Sequence, residues 1–160
     1  MTARPLAVFD VDGVLADVRH RLRHVERRPK DWDAFFDAAA DDPALATGVA
    51  LAQASTEDCE VVYVTGRPER CRADTLAWFT QHGLPQGTLS MRGTRDRRPA
   101  RIAKLELLRQ LAADRVVAVA VDDDLAVCRA YEGAGFTVLR ATWMSDQPSL
   151  FEAQEGDGRT

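Results

Sequence analysis

Five short apolar runs punctuate the chain, at residues 6–9, 60–64, 88–91, 116–121 and 136–139, each bounded by turn or cap residues. Two of them, Val61-Val62-Tyr63-Val64 and Val116-Val117-Ala118-Val119-Ala120-Val121, are continuous rather than alternating. Such runs mark strands covered on both faces, as in a parallel sheet between helices. Helical periodicity fills the gaps. Residues 68–81 open with Pro68 at a first helical position and set Cys71, Leu76 and Phe79 among polar neighbours. Residues 99–113 open with Pro99 and space Ile102, Leu105, Leu108, Leu111 and Ala112 as on a helix face. Residues 124–134 carry Leu125, Cys128, Tyr131 and Ala134, and Gly135 stops them. The alternation predicts an α/β domain with a parallel sheet of about five strands and right-handed crossovers.

Residues 14–57 break the rhythm, because they separate the first two strands by far more than a usual βα loop. Trp32, Phe35 and Phe36 lie in a helical stretch that Pro43 interrupts, and a second helix is expected over 44–55. The spacing of the three aromatic residues favours core packing over base stacking. The insertion, about 17–57, is long enough for one or two helices and short for a full cap domain. The tail beyond Trp143 is acidic and turn-rich, so about 144–160 is expected to be partly disordered. One domain over 1–160 is the expected organisation.

At 160 residues, 46% hydrophobic and 29% charged, the chain can hold a core of its own. No apolar run approaches the ~18–20 residues of a membrane span, and the first residues do not read as a signal peptide. Cys59, Cys71 and Cys128 form no CxxC, which argues against a disulfide framework or zinc site and for the reducing cytoplasm. The net charge of −4 conceals segregation. Residues 17–30 carry a net of +4 and residues 92–104 a net of +5, so the other 133 residues hold −13. Two Arg-rich segments on an acidic body fit either solvated surfaces or an anion-binding face.

Ligands of doubly wound sheets bind at the carboxyl ends of strands. Here the first run ends in Asp10-Val11-Asp12-Gly13, the second in Thr65-Gly66-Arg67-Pro68 and the fourth in Asp122-Asp123-Asp124. Each alone could be a turn or a helix cap. Together they crowd carboxylates on one rim, where each pair at 4 Å repels by about 4 kcal/mol at an effective dielectric of 20. Such a cluster requires a bound cation, a raised pKa, or both. Oxygen ligands without a His or Cys cluster favour Mg²⁺ over zinc. His20 and His24, four apart, lack further ligands.

Phe9-Asp10-Val11-Asp12-Gly13-Val14 resembles the first motif of the haloacid dehalogenase (HAD) superfamily of phosphatases. Val64-Thr65-Gly66-Arg67 resembles its second motif, Lys104 its third and Asp122-Asp123 its fourth, in the family's order. The resemblance implies a Rossmann-like fold and Mg²⁺-dependent phosphoryl transfer in which Asp10 becomes phosphorylated. It makes Asp12 the general acid and base, its pKa raised by neighbouring carboxylates, with its backbone carbonyl on the metal. Thr65 and the N–H groups after it would bind a phosphoryl oxygen, and Lys104 would neutralise the nucleophile. Asp123 would ligate Mg²⁺ and Asp122 would support it or orient Lys104. Asp124 is surplus to the pattern and reads as a helix cap.

Met91-Arg92, Asp96, Arg98 and Lys104 extend the similarity to the 3′-phosphatase domain of phage-type polynucleotide kinase-phosphatases. That implies removal of a 3′-phosphate from a polynucleotide or nucleotide end, with Gly66, Arg67 and Arg92 at the substrate. No GxxxxGK[ST] accompanies it, and Thr65 stands where that subfamily has Ser. A small-molecule phosphatase such as a mononucleotidase is the alternative within the class. A receiver-like phospho-acceptor is the alternative outside it, disfavoured because here the DxD comes first and Lys104 precedes the acidic pair.

Overall fold

The computed structural model describes residues 2–144; of the tail expected to be partly disordered, Met144 is buried in the core and residues 145–160 lie outside the described residues. The five apolar runs become β1 (Leu6–Phe9), β2 (Glu60–Pro68), β3 (Leu89–Arg92), β4 (Val117–Asp122) and β5 (Val138–Arg140). They form one parallel sheet in the order β3-β2-β1-β4-β5. The helices are α1 (Arg23–Glu26), α2 (Trp32–Asp37), α3 (Ala46–Ser55), α4 (Arg72–Gln81), α5 (Ala100–Ala112) and α6 (Leu125–Gly133). One-turn 3-10 helices occupy Arg19–Arg21, Ala38–Asp41 and Glu69–Cys71. None of these helices is long and apolar enough to cross a membrane.

Strand alternation sorts the core into two layers. Ala7, Phe9, Val61, Tyr63 and Val121 face one way, toward Ala52 of α3, Trp78 and Phe79 of α4, and the insertion. Leu6, Val8, Val62, Val64 and Ala120 face the other way, toward Leu108 of α5 and Val127 and Tyr131 of α6. Each Val, Leu or Phe among them, when fully buried, is worth about 1.5–3 kcal/mol. The centre of the sheet therefore sits between two apolar layers, and its polar strand ends can be held stiffly.

Three expectations shift. Strand β2 runs on to Pro68 because Pro68 still pairs with Arg92 after an irregularity beyond Thr65, so the helix expected from 68 begins at Arg72 after a 3-10 turn. Pro99 is the cap rather than the first residue of α5. The start of β4 is not covered on both faces: Ala118 is exposed, and a register shift separates the pairs made by Leu6 and Ala7. Ala118 is the extra residue at that shift, since Leu6 pairs with Val117 and Ala7 with Val119, while Val117 and Val119 themselves pack on the two apolar layers.

Inside the insertion, Trp32, Phe35 and Phe36 pack on one another, with ring centroids 5.4 Å apart for Trp32–Phe35 and 5.3 Å for Phe35–Phe36. They are core residues, as their spacing predicts. The chain returns to the sheet where the Leu45 N–H donates to the Leu15 carbonyl at 2.8 Å. Val14 is fixed there too, its carbonyl accepting from Trp143 Nε1 at 2.8 Å. Gly48 of α3 lies so close that a Cβ would stand 1.8 Å from the same carbonyl oxygen. Gly→Ala in a helix ordinarily stabilises by up to about 1 kcal/mol. Gly48→Ala is expected to destabilise by about 1–3 kcal/mol instead, in keeping with overpacked sites. Urea denaturation checks this, and a stabilised variant would refute the close approach of α3 to the loop after β1.

Candidate active site

The chain builds the sheet outward from β1 in one direction through β2 and β3, then in the other through β4 and β5. A crevice opens where such an order reverses, at the carboxyl ends of β1 and β4. Phe9 pairs with Val121, and the Asp10 N–H donates to the Val121 carbonyl at 2.9 Å, so Asp10 and Asp122 leave the sheet side by side. Gly13 then turns the chain with φ +82°, where a side chain is strained, and a Cβ there would lie 1.9 Å from Asp123 Oδ2. Glycine is required twice at this position.

Asp10, Asp122 and Asp123 are buried and each brings a carboxylate oxygen within 4.8 Å of the others. Lys104, buried on α5, sets its Nζ 3.1 Å from Asp10 Oδ2 and 3.0 Å from Asp122 Oδ2. Burial works against the ammonium charge, but Asp10 and Asp122 outweigh it and hold the Lys104 pKa well above its usual value. Burial, then the charge of Asp122, pushes Asp10 up to about 8 against the pull of Lys104. Asp123 is likewise driven well upward by burial and by Asp122. Neither carboxyl oxygen of Asp123 accepts a hydrogen bond among the described residues. When ionised, three carboxylates face one ammonium, which leaves about two negative charges on hard oxygen ligands, the donor set for a small divalent cation. Asp122 Oδ1 accepts from the Asp124 N–H at 2.9 Å, and Asp124 caps α6 by accepting from the Ala126 N–H at 2.9 Å.

Asp12 belongs to a different electrostatic group. Its Oδ1 accepts from Arg21 Nη2 at 2.8 Å and from Arg67 Nη2 and Nε at 2.6 and 3.0 Å. Asp42 closes the ring, taking Arg21 Nε and Nη2 at 2.8 Å each and Arg67 Nη2 at 3.2 Å. His20 Nε2 lies 2.6 Å from Asp42 Oδ1. The expected rise in the Asp12 pKa is therefore corrected: burial raises it, but Arg21 and Arg67 outweigh burial and hold it below the ordinary carboxylate range. Asp12 Oδ2 accepts no hydrogen bond among the described residues, so one oxygen is anchored and the other is not.

The remaining expected residues line up along the neighbouring strand ends. Thr65 is buried near the end of β2, its Oγ1 accepting from the Arg67 N–H at 3.1 Å, with Gly66 between them. Arg67 is 1% exposed and turned to Asp12, Asp42 and Thr75 rather than outward. Arg92, one strand further and also buried, donates from Nη1 to the Arg98 carbonyl at 2.6 Å. Arg21, Asp42 and His20 escape sequence reasoning. Arg21 looks like one arginine in a solvated run, yet it is 0% exposed and sits over the Phe35 ring at 4.3 Å. The aromatic cluster just downstream was the available signal, since a buried arginine needs both a flat partner and a carboxylate.

Asp42→Asn would leave two buried guanidinium groups to share Asp12. The expected loss is about 3–5 kcal/mol in urea denaturation, as when one member of a buried ion network is removed. Arg27→Ala, which breaks an exposed pair with Asp31, is expected to stay within about 0.5 kcal/mol. Equal stability of Asp42→Asn and wild type would refute the network.

The sequence profile of the polynucleotide kinase PNKP phosphatase domain matches residues 5–143. No curated protein matches the chain. Among solved structures, a chain of the Pnkp1/Rnl/Hen1 RNA repair complex is similar at TM-score 0.72 and 21% identity, covering 88% of this chain and 43% of that one. A second structure of the Pnkp1/Rnl/Hen1 complex gives 0.70 and 22%, covering 86% and 45%. The chain thus spans less than half the length of these relatives. The HAD-hydrolase YfnB from Bacillus subtilis, bound to magnesium, gives 0.62 and 9%, covering 88% and 90%. At such identities the solved structures establish the fold, and the profile match over nearly the whole described chain establishes the family. The chain belongs to the PNKP phosphatase domain family, a group of phosphatases on the HAD fold.

Proposed function

We propose that this phosphatase is a Mg²⁺-dependent phosphomonoesterase that removes a 3′-phosphate from a polynucleotide or nucleotide end through phosphorylated Asp10. The observation that carries this reading is the buried meeting of Asp10, Asp122, Asp123 and Lys104 at the crevice between β1 and β4. Asp10 and Asp123, the backbone carbonyl of Asp12, and Asp122 behind them are the residues that would hold Mg²⁺. The partnerless Asp123 oxygens and the excess of negative charge fit that ion. When bound, Mg²⁺ neutralises charge on the phosphoryl oxygens and on the attacking carboxylate.

The chain's own residues then divide the work. An Asp10 oxygen attacks phosphorus, and the bond from phosphorus to the 3′-oxygen breaks, giving an aspartyl-phosphate. Asp12, after taking up a proton from solvent on Oδ2 as the substrate binds, delivers it to the leaving oxygen, and afterwards takes one from the water that hydrolyses the intermediate. Arg21 and Arg67 favour the base form of Asp12 at rest. The arriving phosphate dianion works in the opposite direction, raising its proton affinity for the first step. Lys104 holds charge on Asp10 and the phosphoryl group without competing for the metal. Thr65 and the N–H groups after it hold a phosphoryl oxygen, while Arg67 keeps Asp12 aimed and Arg92, at the end of β3, would contact the substrate. The three cysteines are free, which suits a cytoplasmic setting.

Asp10→Asn is expected to abolish turnover with the circular dichroism spectrum unchanged, and Asp12→Asn to lower kcat by about 10²–10⁴-fold. Retained activity in Asp10→Asn would contradict the nucleophile assignment. Mg²⁺ at about 100 times its Kd should stabilise the wild type by about 2.7 kcal/mol, read as a rise in Tm. That rise should shrink in Asp123→Asn, and an undiminished rise would put the metal elsewhere. A substrate panel with Mg²⁺ compares oligonucleotides carrying 3′- or 5′-phosphate, both mononucleotide isomers and an aryl phosphate. The 3′-phosphorylated oligonucleotide is expected to have the highest kcat/KM, and finding it the poorest substrate would end the polynucleotide reading.

A further inference from the structure

The fold brings the two Arg-rich segments, whose nearest ends Lys30 and Arg92 lie 62 residues apart in the chain, to one surface channel. A hollow of about 170 Å³ begins at Pro68 and Arg92, at the carboxyl ends of β2 and β3, and is walled by Arg70 and Arg97. A second hollow of about 560 Å³ shares Asp33 and Arg97 with the first and continues to Arg27, Arg28 and Lys30 of the insertion. The combined walls carry six basic side chains against Asp31 and Asp33, a net of +4 on a chain whose total is −4.

The pairing of these arginines separates structure from ligand binding. Arg70 is held by Asp33 at 2.9 Å and lies over Phe36, and Arg27 is held by Asp31 at 3.2 Å. Arg97 is exposed and bonds only backbone carbonyls, those of Thr94 at 2.9 Å and Asp96 at 3.5 Å. Arg28 is exposed and has neither a hydrogen bond nor an ion pair among the described residues. Two guanidinium groups without a carboxylate thus stand on the same channel wall. Trp32 and Phe36 contribute to the floor but are buried against each other, with ring centroids 5.9 Å apart. The channel is therefore built to meet charge rather than to stack bases, since stacking needs an open aromatic face.

We infer that this channel binds the sugar–phosphate backbone of a single strand on the 5′ side of its terminal phosphate, with Arg28 and Arg97 contacting backbone phosphates. The inference rests on the 3′-phosphatase reading for its orientation, because only a 3′-terminal phosphate places the rest of the strand on its 5′ side. It makes the insertion a determinant of polymer over mononucleotide substrates. Phosphate contacts of this kind position a strand without reading its sequence.

The test uses a fluorescein-labelled ten-nucleotide single-stranded RNA with a 3′-hydroxyl, its binding followed by anisotropy over a KCl series. Exposed ion pairs contribute about 0.2–1 kcal/mol each, so the double variant Arg28→Ala/Arg97→Ala is expected to bind roughly 2- to 30-fold more weakly. The slope of log K against log salt should flatten by about 1.4, the loss of two single-strand phosphate contacts. Arg109→Ala, on α5 away from the channel, serves as the charge control and should keep the wild-type slope. In kinetics, the double variant should raise KM for the same RNA bearing a 3′-phosphate by the factor seen in binding, and shift the 3′-mononucleotide far less. Wild-type affinity and slope in the double variant would overturn the channel, as would equal affinity of the wild type for a poly-glutamate peptide of the same charge. Failure of the 3′-phosphatase reading shows separately, as wild-type enzyme with no preference for the 3′-phosphorylated RNA. The binding measurement needs no turnover and judges the channel on its own.

Discussion

The ammonium of Lys104, lodged between Asp10 and Asp122, is the contact on which the rest of the site depends. Parallel pairing of β1 with β4 forces two carboxylates out of the sheet side by side, and Asp123 follows at once. At 4 Å each such pair repels by about 4 kcal/mol at an effective dielectric of 20, so the arrangement needs a fixed cation inside it. Helix α5 supplies one by burying Lys104 along with Ala103 and Leu108 on its sheet-facing side. One ammonium against three carboxylates still leaves the cluster short of positive charge. That deficit fits the divalent cation proposed for the site and, with it, a phosphoryl group.

A second balance is struck beside the first. Asp12 and Asp42 face Arg21 and Arg67, two charges of each sign, so this group is close to neutral by itself. Asp12 is thereby removed from the crowded cluster although it lies only two residues from Asp10. The separation lets two aspartates on one turn differ in proton affinity, Asp10 raised and Asp12 lowered. It also ties the insertion to the chemistry, because Arg21 and Asp42 both come from it. The same segment turns Arg27 and Arg28 outward, so one stretch of sequence serves the buried site on one side and the charged channel on the other.

Much of this was legible in the sequence, for identifiable reasons. Short apolar runs, two of them continuous, located all five strands, and the carboxylates at the ends of the first and fourth located the cluster, since parallel neighbours bring their carboxyl ends to one rim. The Asp124 cap and the packing of Trp32, Phe35 and Phe36 followed from local rules that the tertiary structure obeys. Local rules failed where a distant partner decided the outcome. Pro68 reads as a helix start but stays in β2 because Arg92 pairs with it. Ala118 reads as covered, yet the register shift against β1 leaves it as the extra, exposed residue of β4. Arg21 reads as solvated, and its burial depends on Asp12, Asp42 and the Phe35 ring, up to 21 residues away along the chain. The sign of the Asp12 shift was missed for that same reason.

The central claim is that Asp10, and no other carboxylate of the cluster, carries the phosphoryl group. Borohydride reduces an acyl phosphate to an alcohol, so quenching the enzyme with it during turnover in Mg²⁺ converts a phosphorylated aspartate to homoserine. Peptide mass spectrometry then locates the modified residue. The account predicts homoserine at position 10, dependent on substrate and on Mg²⁺. Modification at Asp12, Asp122 or Asp123, or none while substrate is being consumed, would contradict it.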